Sequence, residues 1–185
     1  PQRVHNALQL NRGKARFSNV CYMSGIAATD WSWAVLATDL DLDGRNDIFV
    51  TNGTKRDLGD QDYTYSLFAG QGAIRTDAYR NMPRSKLPDF AFRNVGGFRF
   101  EDVSASWGLN EAEVSNGAAY ADIDNDGDLE IIVNNTDTVA TIYVNRTLET
   151  DPVTPLWAGV ELRGTPGNRT AIGARLTFHG PRGTL

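Results

Sequence analysis

The chain has 185 residues, 41% of them hydrophobic and 22% charged, and a net charge of −5. That size and mix allow one domain with a buried core, or a domain and part of another; with no Lys/Arg stripe, they exclude a nucleic-acid-backbone binder. No apolar run approaches the roughly 18 residues of a membrane-spanning helix. A single cysteine, Cys21, excludes an internal disulfide, so a chain working outside the cell needs another stiffening device.

In chain order, Pro1-Gln2-Arg3 carries no signal sequence and reads as the start of a mature or trimmed product. Asn11-Arg-Gly-Lys-Ala-Arg-Phe17 then opens a unit that returns as Asn94-Val-Gly-Gly-Phe-Arg-Phe100, an offset of 94 − 11 = 83. The same offset carries Val20 onto Val103, Cys21 onto Ser104 and Gly25 onto Gly108. Repeats of this kind imply stacked supersecondary units. Val35-Leu-Ala-Thr38 and Ile48-Phe-Val-Thr51 read as strands entering and leaving a first acidic stretch.

The segment from about 54 to 88 reads as an insertion. A third copy begins at Ile142-Tyr-Val-Asn145, where Asn145 follows Asn94 by only 145 − 94 = 51 positions. The first copy is therefore longer than the second by 83 − 51 = 32. Within the insertion, Asp62-Tyr-Thr-Tyr-Ser-Leu-Phe68 and Ala73–Arg80 read as helical, ending at Met82-Pro83 and Leu87-Pro88. Phe98–Val103 alternates with period 2 as a strand does. Ala118–Ala121 and Glu130–Val133 flank a second acidic stretch, and 147–156, polar and proline-bearing, reads as a linker. Short strands with Gly/Asn/Asp turns at repeating intervals predict an all-β chain, a β-propeller or a related array.

The acidic stretches carry the chemistry. Asp39-Leu-Asp-Leu-Asp-Gly-Arg-Asn-Asp47 recurs as Asp122-Ile-Asp-Asn-Asp-Gly-Asp-Leu-Glu130. Calcium takes six to eight oxygens, and D-x-D-x-D-G supplies them from alternate residues around a glycine bend. The expected side-chain ligands are Asp39, Asp41, Asp43 and Asp47 with the Arg45 carbonyl, then Asp122, Asp124, Asp126 and Glu130 with the Asp128 carbonyl. About two Ca2+ per chain follow. An EF-hand is rejected, because its twelfth position needs a glutamate and here holds Val50 or Val133, inside strands. Unpaired, four converging carboxylates would repel one another strongly.

Trp31–Gly44, Phe98–Leu109 and Ser115–Leu129 resemble the FG-GAP/VCBS repeats of ASPIC/UnbV-type proteins, the group that includes cartilage acidic protein and many bacterial surface proteins. Val160–Leu176 resembles the start of the ASPIC/UnbV domain. The resemblance implies repeats over 1–146, a linker at 147–156 and the start of a C-terminal β domain at 157–185. It further implies an integrin-α-like propeller, of which this chain would supply at most three partial blades, with calcium in the blade loops. The expected address is extracellular or cell-surface, and the expected partners are a protein or glycan ligand, or further copies of the chain; the alternative readings are the non-catalytic propeller part of a secreted enzyme and a self-assembling filament subunit.

No catalytic constellation stands out. His5 and His179 are far apart, with no nucleophile suggesting a triad. Trp31, Trp33 and Trp107 read as repeat packing rather than a sugar platform, and Cys21 as a small buried residue. Sequons occur at Asn52, Asn134, Asn145 and Asn168.

Overall fold

A computed structural model describes residues 5–57, 59–68, 80–150, 160–180 and 183–184. Most of the predicted Ala73–Arg80 helix and residues 151–159, which include most of the linker, lie outside the described residues. Short antiparallel strands dominate. In chain order they are β1 (Gln9–Asn11), β2 (Phe17–Asn19), β3 (Val35–Thr38), β4 (Asp47–Val50), β5 (Leu87–Pro88), β6 (Phe90–Gly96), β7 (Arg99–Asp102), β8 (Ala112–Glu113), β9 (Ser115–Ala121), β10 (Glu130–Asn135), β11 (Thr141–Tyr143), β12 (His179–Gly180) and β13 (Gly183–Thr184).

The repeat is visible bond by bond. Val20 N–H donates to the Leu8 carbonyl as Val103 does to Ala91, and Ile26 bonds Cys21 as Leu109 bonds Ser104. The Asn19 carboxamide caps Cys21 N–H just as the Asp102 carboxylate caps Ser104 N–H. These bonds wind a tight turn, the short helix α1 (Cys21–Ser24) in the first copy. The turns close at Gly25 and Gly108, both at positive φ, as a left-handed helix stop requires. Cys21 is fully buried, as its sequence position suggested.

Sheets do not coincide with repeats. The order β3-β4-β6-β7 joins the second half of one copy to the first half of the next, and β9-β10-β11 does the same one copy later. The hairpin β1-β2 is the first half of the first copy, paired within itself. Along β4, Phe49 faces one side, into a core with Leu40, Ala91, Leu109, Ile131 and Val133. Ile48 and Val50 face the other, packing with Cys21, Ile26 and Phe92. That period-2 alternation, with a core on each face, explains why all four residues of β4 are buried. Burying a side chain such as Phe49 contributes about 2–3 kcal/mol.

The insertion lies between two adjacent strands. The connection from β4 to β6 runs over 51–89, whereas that from β10 to β11 needs only 136–140. The long connection contains helix α2 (Gln61–Phe68), capped by Asp60, whose Oδ1 accepts Tyr63 N–H at 3.0 Å. Its two ends meet at a bridge between Thr54 and Ser85. Part of the predicted linker is ordered as a turn of helix, α3 (Thr147–Thr150). Asp128 holds it by accepting Leu148 N–H. Among the described residues, no helix is long and apolar enough to cross a membrane.

Candidate metal centres

Both acidic stretches form loops between antiparallel neighbours, β3–β4 and β9–β10. Their backbones bend alike: Leu42 and Gly44 have positive φ in the first, Asn125 and Gly127 in the second. Asp43 accepts Arg45 N–H at 3.0 Å, and Asp126 accepts Asp128 N–H at 3.1 Å. The last acid of each loop reaches back across it. Asp47 Oδ2 accepts Leu40 N–H at 3.1 Å, and Glu130 Oε2 accepts Ile123 N–H at 2.7 Å.

In the first loop, Asp39, Asp41 and Asp43 bring ligand oxygens within 4.8 Å of one another. Asp39 already accepts two backbone N–H bonds, from Asp43 and Gly44. Its pKa is raised, chiefly by burial; those bonds oppose the shift, and the charges of Asp43 and Asp41 add to it. Asp47 stands outside the trio and is fully buried. Its second oxygen accepts Asn94 N–H at 2.8 Å, so it latches the loop to β6. Burial pushes its pKa up to about 6 against the pull of the Asn94 and Leu40 N–H groups.

Two arginines lie over this loop. Arg93, on β6, sets Nε 2.6 Å from Asp41 Oδ2 and Nη2 3.6 Å from Asp43 Oδ2. Its pKa is raised, chiefly by Asp41. The Arg45 guanidinium pairs with Asp43 and donates to the Asn94 carbonyl at 2.7 Å. Asp41 Oδ1 is buried without a hydrogen-bond partner.

The second loop is organised around Glu130. One group joins Asp122, Asp124 and Glu130, another Asp126, Asp128 and Glu130, each with ligand oxygens within 4.8 Å. Asp128 and Glu130 are 0% and 2% exposed. Asp128 Oδ1 and Glu130 Oε1 are buried and have no hydrogen-bond partner. The Asp128 pKa is raised, first by burial and then by Asp126 and Glu130, while the Leu148 N–H opposes the shift. Among the described residues no arginine lies over these five acids as Arg93 and Arg45 lie over the first loop.

Buried carboxylate oxygens with neither donor nor counter-charge are costly. A hard cation that takes several oxygens removes that cost, so these acidic groups could hold a metal ion. Sequence reasoning took only the carbonyl of Asp128, yet its side chain joins the group. Reading the D-G-D triplet as a second acidic row would have found it. Arg93 carries no local signal, because it enters from another copy of the repeat. No protein-family model matches the chain, and no curated protein matches it.

Proposed function

We propose that the chain is a calcium-binding repeat module of a secreted or cell-surface protein, built as part of an integrin-α-like propeller and acting in adhesion, protein or glycan binding, or surface assembly. The observation that carries the calcium reading is the pair of buried, partnerless oxygens on Asp128 and Glu130, two acids whose ligand atoms lie within 4.8 Å of each other and of Asp126. Asp122, Asp124 and Asp126 complete the ligand set of that loop, and Asp39, Asp41 and Asp43 form the set of the other. The ion supplies positive charge that stiffens each strand-to-strand loop, a role suited to a chain with one cysteine. The resemblance of Trp31–Gly44 and Ser115–Leu129 to FG-GAP/VCBS repeats supports the surface-protein reading, and sheets that join consecutive repeats support the repeat architecture.

The test is metal analysis of the purified chain with thermal unfolding in calcium, in magnesium and in EGTA. An ion bound to the folded state alone at 100-fold excess over its Kd adds about 2.7 kcal/mol, or roughly 5–10 °C for a chain of this size. Calcium should give that rise and magnesium should not. No bound calcium and no shift would reduce the loops to turns and remove the reading.

A further inference from the structure

We infer that the two loops take cations unequally: the second holds its ion tightly, whereas in the first Arg93 is a built-in counter-cation that a divalent ion must displace. This rests on the calcium reading above and adds to it an order of filling.

The two loops share backbone bends, the Asp43/Asp126 turn bond and the cross-loop bond of the last acid. What differs is charge and prior engagement of the oxygens. The first loop carries four acids, Asp39, Asp41, Asp43 and Asp47, offset by Arg45 paired with Asp43 and Arg93 paired with Asp41 and Asp43, a formal −4 + 2 = −2. Both oxygens of Asp39 and of Asp47 already accept backbone N–H bonds. One Asp41 oxygen lies against Arg93, leaving Oδ1 alone buried and without a partner.

In the second loop Asp122, Asp124, Asp126, Asp128 and Glu130 sum to −5. The offset of 83 puts Asp128 where the first loop has Arg45, and the offset of 51 puts Val144 where β6 has Arg93. Both compensating arginines are therefore missing, one replaced by a further acid. The extra methylene of Glu130 reaches the Ile123 N–H while its other oxygen stays buried and without a partner. The Arg93 side chain is 42% exposed, so it has a path into water when an ion arrives. Removing its charge removes the competitor without touching a ligand.

The experiment is calorimetric calcium titration of the EGTA-stripped full chain, alongside Arg93→Gln and Glu130→Gln. The wild type is expected to show one tight and one weak event, separated by about tenfold or more, the scale of removing one nearby unit charge. Glu130→Gln should abolish the tight event and keep the weak one. Arg93→Gln should tighten the weak event about tenfold and leave the tight one in place. Should Arg93→Gln fail to fold by circular dichroism, Arg45→Gln removes the other guanidinium on Asp43 and is read the same way. Two equal events unchanged by loss of the arginine overturn the inference and leave the calcium reading standing. No calcium uptake by the wild type or the arginine variants overturns both.

Discussion

The Asn145 side-chain amide donates to the carbonyl of Leu40 at 2.8 Å and to that of Leu129 at 3.3 Å, so one residue ties the first acidic loop to the second. Its oxygen accepts Thr147 N–H at 3.1 Å, just as Asn94 accepts from Gly96 and Asn11 from Gly13. Asn94 also donates to the Asn46 carbonyl, the counterpart of Leu129. The third repeat copy thus keeps the hydrogen-bonding role of its predecessors.

Asn145→Ala should destabilise the folded chain by about 1–2 kcal/mol, because the Leu129 carbonyl loses this donor and the Leu40 carbonyl keeps only the Thr147 hydroxyl at 3.3 Å. Urea unfolding would measure it. Asn145→Asp keeps the acceptor but not the donors and is expected to lose nearly as much.

Neutralising a buried acid of the second loop should trade one stability for another. Asp128 has a raised pKa, chiefly through burial, so its charge is unfavourable when no ion is present. Asp128→Asn should melt higher than wild type in EGTA and gain less from calcium. Crossing of the two melting series with and without calcium is the result to look for; parallel series would rule the acid out as a ligand.

Asp89 gives a pH signature separate from the loops. It is 1% exposed and accepts Asn52 N–H at 2.8 Å. Burial pushes its pKa up to about 6, above the ordinary 3.8. Between those values the folded chain holds a proton that the unfolded chain has lost. Stability therefore falls as pH rises through that window, by about 3 kcal/mol for a shift of this size. Asp89→Asn keeps the acceptor, and the same repeat position already holds Asn6. In saturating calcium the variant should be more stable than wild type at pH 7 and indistinguishable from it near pH 4.

Gly53 sits at φ +105°, where an added Cβ would lie 2.4 Å from the Glu113 carbonyl oxygen and 3.0 Å from the Val114 Cα. Both obstacles are backbone, so relief requires moving β8 and the residue after it. Gly53→Ala should cost about 3 kcal/mol or more, read as a lower unfolding midpoint.

Much of this architecture was legible because it is local. Strands β4 and β10 follow from β-branched runs beside the acidic loops, and the Asp/Gly spacing placed the loop bends. Helix α2 was visible in Asp62–Phe68. The offsets of 83 and 51 located the insertion. What escaped is non-local. Pairing of β4 with β6 across the whole insertion, the reach of Arg93 onto Asp41 and the burial of Asp47 against Asn94 depend on which copy docks beside which. The sequons show the same limit. The Asn52 side chain donates to the Pro88 carbonyl and Asn145 to Leu40 and Leu129, so neither amide is available for a glycan in the folded chain.

The unequal strand connections have a kinetic consequence. Closing the link over 51–89 instead of the one over 136–140 costs about 1.8 kcal/mol more in chain entropy, roughly three doublings of loop length. The sheet β9-β10-β11 therefore has the head start as the nucleus, and β3-β4-β6-β7 zips onto it through Phe49 and Ile131. Pulse-labelled hydrogen exchange during refolding should protect the amides of Ile131 and Val133 before that of Phe92. Shortening the insertion beyond the Thr54–Ser85 bridge should speed the later phase while leaving the earlier one alone.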